Sequence, residues 1–181
     1  MLDEFYVDNY KSLVNVTFCP KQQNLLLGTN NAGKTNLCQA MKFLSATASW
    51  SLDDCADRVA GLRFAIANHH FDKPTVDFRV RATIPFAGEE LTFRYSLTIG
   101  IKKNNLMAPS LEVDEESLRV SGGGFPDAML LANTAESVRL LHEVDYLAGR
   151  SNFVTTTAPR NATMLSRLYD LQTNERANLF K

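Results

Sequence analysis

Two neighbouring segments in the middle of the chain show the most regular hydrophobic alternation in the sequence. Apolar side chains occupy every second position from Val76 to Ile84 and again from Leu91 to Ile101, with mostly polar or charged residues between them. This period of two is typical of a β-strand with one buried face and one solvated face. Residues 87–90, which include a glycine, separate the two segments and suit a tight turn. The sequence therefore predicts a long antiparallel hairpin.

Shorter patterns predict the other elements. Residues 5–7 and the alternating residues 14–18 indicate an N-terminal hairpin. Residues 24–27 end in three leucines, a run that is typical of a strand buried on both faces. Apolar residues recur at helical spacing between Lys34 and Thr47, which predicts an amphipathic helix. Further patterns predict a short helix at 53–60 ended by Gly61, a strand at 118–120, a turn at 121–124, and helices at 133–144 and from Thr163 onward.

Composition is that of a folded, soluble domain. The chain has 181 residues, of which 45% are apolar and 22% charged, enough to bury a sizeable core. No apolar run approaches the ~18 residues of a membrane span, and the first residues lack the pattern of a signal peptide. Cys19, Cys38 and Cys55 lie far apart and form no CxxC pair, so we expect reduced thiols in a cytoplasmic protein with no membrane partner.

The charges nearly balance over the whole chain. Lys and Arg number 19 against 20 Asp and Glu, which gives a formal net charge of −1. Arg79, Arg81 and Arg94 are predicted to share the polar face of the long hairpin. These side chains could contact DNA phosphates or be simply solvated, and the near-neutral net charge of the chain favours solvation.

One short string carries recognisable chemistry. Residues 28–35 read Gly-Thr-Asn-Asn-Ala-Gly-Lys-Thr and match GxxxxGK[ST], the phosphate-binding P-loop. The string follows the strand predicted at 24–27 and precedes the amphipathic helix, which is the setting that the motif requires. The sequence therefore predicts a site for a nucleoside triphosphate.

The chemistry of the motif gives each residue a role. Gly28 and Gly33 allow close backbone approach, and the amides of residues 31–35 are expected to surround a β-phosphate at the positive end of the helix. Lys34, the candidate catalytic residue, reaches the β- and γ-phosphates, and the Thr35 hydroxyl ligates Mg²⁺. The predicted cofactors are thus ATP and Mg²⁺.

Two segments resemble one family. Residues 5–13 resemble the opening, and residues 24–37 the P-loop, of ABC-type ATPase heads of the RecF, SMC and OLD group, and are similar to AAA-type ATPases of the OLD-like kind. The paired Asn30–Asn31 and the trailing Asn36–Leu37 are more specific than the bare motif. The nucleotide-binding residues that this resemblance implies are Gly28, Asn30, Asn31, Ala32, Gly33, Lys34, Thr35 and Asn36, with Lys11 as a basic residue near the nucleotide.

The resemblance implies an α/β fold, namely the first lobe of a P-loop NTPase head of the ABC type with an antiparallel β subdomain. The corresponding division of residues 1–181 is a P-loop core at 1–48, the β subdomain at about 72–132 and a helical segment at about 133–181. The implied function is ATP hydrolysis coupled to DNA processing or phage defence. In this family two heads sandwich ATP in a homodimer, and DNA is a further partner.

The sequence departs from the family after the P-loop. The acidic clusters at 114–116 and 142–145 lack a preceding run of four apolar residues, so neither fits a Walker B strand. The glycines at 121–124 fit a turn better than a signature motif, and Gln172 is the only late candidate for the Q-loop glutamine. We therefore expect the N-terminal portion of a longer ATPase, inactive by itself.

Two other functions stay open. The first is an interaction module that binds ATP without hydrolysing it. The second is a small-molecule kinase, which is disfavoured because such kinases continue as strands and helices over a parallel sheet, whereas the long hairpin is antiparallel. A small GTPase is excluded because the chain has no NKxD motif.

Overall fold

One large antiparallel sheet dominates the structure. A computed structural model describes residues 1–61, 66–67, 74–86, 88–102, 109–134, 137–141, 148–150, 152–157 and 160–166. The strands are β1 (Leu2–Asp8), β2 (Val16–Phe18), β3 (Thr75–Phe86), β4 (Glu89–Lys102), β5 (Ser110–Gly122), β6 (Phe125–Thr134), β7 (Val138–Leu141) and β8 (Phe153–Thr156). Their order across the sheet is β2-β1-β3-β4-β5-β6-β7-β8, so β3 to β8 form a meander.

Both predicted hairpins are confirmed. Strands β3 and β4 pair antiparallel from Thr75 opposite Gly100 to Phe86 opposite Glu89, and β1 pairs with β2. Phe78 and Leu97 lie opposite each other and are buried, as the alternation predicts for the apolar face. Sequence periodicity alone therefore located the centre of the sheet.

Two helical segments cover the apolar face of the sheet. Helix α1 (Lys34–Ala46) buries Leu37, Ala40 and Phe43, and the Phe43 ring stacks on Phe78 with ring centroids 5.8 Å apart. Helix α2 (Leu52–Cys55) continues into a π-helical turn (Ala56–Ala60), which Gly61 ends with a φ of 90°. The helices predicted at 34–47 and 53–60 are both confirmed. Among the helices described, none is both long enough and apolar enough to cross a membrane.

The predicted α/β fold is wrong. Of the described residues, 50% lie in strands and 18% in helices, and every pair of neighbouring strands in the sheet is antiparallel. An α/β P-loop fold, including the first lobe of an ABC-type head, requires parallel strands joined by helices. Here consecutive strands are instead joined into antiparallel hairpins along the meander.

The strand predicted at residues 24–27 is also wrong. This segment has no regular secondary structure, and the side chains of Leu25 and Leu27 are 81% and 80% exposed. A continuous apolar run becomes a buried strand only when strands lie on both sides of it and layers cover both faces. The described part of the chain provides no strand that pairs with this segment.

The helix predicted at 133–144 is wrong over its described residues. Asn133 does not cap a helix; it lies in β6 and its side-chain amide donates to the buried carboxyl of Glu116. Val138–Leu141 forms β7, in which Leu140 pairs with Leu131 of β6. The turn predicted at 121–124 is confirmed: Gly122 has a φ of 102°, and a Cβ there would lie 2.5 Å from the Glu90 carbonyl oxygen.

A buried polar cluster attaches the last described residues to the sheet. Glu116 is fully buried; its carboxyl accepts hydrogen bonds from the Tyr95 hydroxyl at 2.9 Å and from the Met164 amide at 2.7 Å. Thr163 donates to the Thr47 carbonyl at the end of α1. Residues 164–166 are helical, as predicted from Thr163 onward, and the rest of that helix lies outside the described residues.

Candidate functional site

The predicted phosphate loop forms a tight turn at the start of α1. Asn31 and Gly33 have φ values of 68° and 87°, in the left-handed region, and the Ala32 amide donates to the Thr29 carbonyl at 3.2 Å. A Cβ on Gly28 would lie 3.2 Å from the Cβ of Ala32. The glycines are thus required by the turn itself, in addition to any role at a ligand.

The connection between β1 and β2 holds the other side of this turn. A Cβ on Gly33 would lie 3.2 Å from a methyl carbon of Leu13 and 3.3 Å from the Ser12 hydroxyl oxygen. The side-chain amide of Asn36 donates to that same hydroxyl at 2.7 Å. Asn36, predicted as a nucleotide-binding residue, therefore links the start of α1 to the N-terminal hairpin.

The first amides of α1 are available to an anion. The first amide to donate into the helix is that of Leu37, which bonds the Gly33 carbonyl at 2.9 Å. In the described structure the amides of Lys34, Thr35 and Asn36 donate to no backbone carbonyl. The helix has 13 residues, so its positive end lies at these amides. The geometry is that of an anion site at a helix N-terminus.

The Lys34 ammonium is held against the loop. Its Nζ donates to the carbonyl oxygens of Gly28 at 2.6 Å and of Thr29 at 2.7 Å. These bonds hold a positive charge against the loop that precedes the helix. A phosphate group could replace these carbonyls as the acceptor of the ammonium, because an anionic acceptor makes a stronger hydrogen bond than a neutral carbonyl.

The remaining loop residues are open to solvent. Asn30, Asn31, Ala32 and Thr35 are all exposed. The described residues contain no group of three or more His, Cys, Asp or Glu side chains that could hold a metal ion. The Thr35 hydroxyl is the group in this loop that could ligate Mg²⁺ together with phosphate oxygens and water, as is usual for this ion with nucleotides.

Lys11 is engaged with α1 and the π-helical turn. Its Nζ donates to Oε1 of Gln39 at 2.7 Å and to the carbonyl of Ala60 at 2.9 Å, and burial lowers the pKa of its ammonium. These bonds use two of the three ammonium donors, so the contact between Lys11 and a nucleotide that the family resemblance implies would use the third donor or replace one of these acceptors.

The acidic cluster at 114–116 has a structural role. It lies within strand β5, and a shift in the register between β4 and β5 at this point places Glu116 in the core. Asp114 pairs with Lys102 at 3.3 Å. The second acidic cluster, at 142–145, and Gln172 lie outside the described residues.

Sequence reasoning missed two residues of importance. Ser12 supports Gly33 and Asn36 although it lies more than 20 positions away, and its only signal was its place in the opening motif. Glu116 organises the buried polar cluster, and its only signal was its position two residues before Leu118, the start of a predicted strand. Contacts between distant segments create both roles.

Comparison with known proteins identifies no family for this chain. No family model matches it, and no curated protein matches it significantly.

Proposed function

We propose that this chain binds ATP with Mg²⁺ through residues 28–36. One observation carries the proposal. At the positive end of a 13-residue helix, three amides make no backbone hydrogen bond within the described residues, and the first residue of that helix has its ammonium held by two loop carbonyls. The sequence of this turn is GxxxxGK[ST], which pairs such amides with a lysine for the same ligand.

The binding mode follows from the chemistry of these groups. The amides of Lys34, Thr35 and Asn36 bind the β-phosphate, where the helix dipole favours negative charge. The Lys34 ammonium leaves the carbonyls of Gly28 and Thr29 and spans the β- and γ-phosphates. The Thr35 hydroxyl ligates Mg²⁺, which neutralises the charge of the triphosphate.

The wider proposal is that the chain is the nucleotide-binding part of a cytoplasmic ATPase that works like those of the RecF, SMC and OLD-like group. Its opening and P-loop segments resemble theirs, whereas its antiparallel sheet is not the fold which that resemblance implies. Two such parts sandwich ATP and form a homodimer, so that nucleotide binding drives association. Hydrolysis then depends on a signature motif and a Walker B carboxylate that the sequence does not contain in recognisable form. The process that it drives is DNA handling or phage defence.

A second candidate is an interaction module that binds ATP without hydrolysing it. The contacts of the acidic cluster at 114–116 favour this candidate, because Glu116 is bonded within the buried polar cluster and Asp114 pairs with Lys102. Release of phosphate from ATP under single-turnover conditions would exclude it.

Isothermal titration calorimetry with ATP and Mg²⁺ tests the proposed site. The Lys34→Ala variant should lose measurable binding, whereas Lys42→Ala, which removes the same charge from an exposed position of the same helix, should bind like the unmodified protein. ADP should bind and AMP should not, because AMP lacks the phosphate that the amides hold. Equal affinity of the Lys34→Ala and Lys42→Ala variants would contradict the assignment.

A further inference from the structure

The face of the sheet opposite α1 carries three arginines in one row. Arg81 on β3 lies directly opposite Arg94 on β4, and Arg94 lies directly opposite Arg119 on β5. All three side chains are exposed. Neighbouring strands are about 4.8 Å apart, so the Cα atoms of this arginine row span only about 10 Å.

The arginine row is unfavourable for the fold alone. Like charges directly opposite each other destabilise a sheet. Glu4 pairs with Arg81 at 3.2 Å and Asp127 with Arg119 at 3.4 Å, but both pairs are substantially exposed and therefore weak. In the described structure Arg94, at the centre, has no carboxylate partner and donates only to the Ser121 hydroxyl at 3.1 Å.

Another arginine lies next to the row, and more acidic residues lie farther along the strands. A further guanidinium, that of Arg79, lies 4.6 Å from the ring centre of Tyr6, two positions from Arg81 on the same strand. Acidic side chains lie toward the other end of the strands, where Asp8 is opposite Asp77, and Glu115 is opposite Thr98. Four guanidinium groups therefore lie in or next to the row, and two of them, those of Arg81 and Arg119, pair with carboxylates.

We propose that the arginine row binds the phosphate backbone of DNA. Guanidinium groups match phosphate oxygens in a two-bond geometry, and neighbouring hydroxyls such as those of Thr92 and Ser121 add donors, as is typical of backbone contacts. A protein partner is less suited, because interfaces between proteins have an apolar centre and these positions are charged or polar. The proposal names a surface for the DNA-handling part of the proposed function, and in that respect rests on it.

Fluorescence anisotropy with a labelled DNA duplex, in the absence of nucleotide, tests this surface. With three phosphate contacts, raising the salt from 50 to 200 mM should weaken binding about 40-fold. Arg94→Gln should reduce affinity about eightfold at 100 mM salt and lower the salt slope by about one, because one ionic contact is lost. Lys42→Gln makes the same charge change on α1, behind the sheet, and should have little effect.

The remaining outcomes are decisive. Equal effects of Arg94→Gln and Lys42→Gln would overturn the proposal, as would polyglutamate binding as tightly as DNA at equal charge. Thermal unfolding separates a folding defect from lost contact: Arg94→Gln should melt no lower than the unmodified protein, since it relieves repulsion in the row. DNA binding retained by Lys34→Ala would support this surface even if the nucleotide site failed its own test.

Discussion

Two buried tyrosines show how much a single hydroxyl depends on its surroundings. Tyr10 packs between Phe43 and Phe78, with ring centroids 5.8 Å from each, and its hydroxyl has no hydrogen-bond partner in the described residues. Tyr95 instead donates to the buried carboxyl of Glu116. The same side chain is therefore a hydrophobic filler at one site and part of a polar network at the other.

Removal of the Tyr10 hydroxyl and removal of the Tyr95 hydroxyl should change the stability in opposite directions. Tyr10→Phe should raise the free energy of unfolding by about 1 kcal/mol, because it removes a buried polar group without a partner. Tyr95→Phe should lower it by about 1–3 kcal/mol, because it leaves the Glu116 carboxyl without one donor. Urea denaturation of the two variants measures both values, and a larger loss for Tyr10→Phe would contradict the described network.

At the scale of elements, burial and not local hydrophobicity decides which apolar residues stabilise the fold. Phe43 is fully buried between α1 and the sheet, whereas Leu25 and Leu27 are about four-fifths exposed. The leucines nevertheless form the most apolar short run next to the phosphate loop. The contribution of these two leucines to the stability of the fold therefore depends on whether another segment covers them.

Substitutions should reveal this difference directly. Phe43→Ala should cost about 3–5 kcal/mol, because it leaves a cavity against Phe78. Leu25→Ser should change the stability of this chain by no more than about 0.5 kcal/mol, since it removes few contacts. Chemical denaturation measures both; a loss of several kcal/mol for Leu25→Ser would mean that the segment is buried.

For the whole molecule, the titration of buried groups sets the response to alkaline pH. Burial, and secondarily the nearby Asp54 carboxylate, raises the pKa of the Cys55 thiol to about 12. Burial raises the pKa of the Tyr10 hydroxyl, and burial together with Glu116 raises the pKa of Tyr95. The folded chain therefore retains three protons that the unfolded chain releases above its ordinary values of 9.0 and 10.0.

Stability should thus fall as the pH rises above about 9. Each retained proton contributes up to about 1.4 kcal/mol per pH unit once the unfolded group titrates. Lys11, whose pKa burial lowers, acts in the opposite direction, but its side chain is only partly buried. Urea denaturation between pH 8 and 10.5 tests the sign, and Tyr10→Phe should flatten the decline; stability that rises over this range would refute it.

Local patterns in the sequence determined a large part of this protein. The alternation at 76–101, the helical spacing after Lys34 and the glycine turns at Gly61 and Gly122 were sufficient, because each depends on residues close together in the chain. The turn and helix of the phosphate loop were predicted for the same reason. Its use as a nucleotide site remains a prediction.

Only the tertiary structure decided how these elements combine. It left residues 24–27 without a paired strand, made Val138–Leu141 a strand, and placed Ser12 and Glu116 at contacts with distant segments. The arginine row likewise exists only through the register of three strands. Beyond the predicted hairpins, strand pairing and register depend on hydrogen bonds between residues far apart in the chain, so no local pattern specifies them.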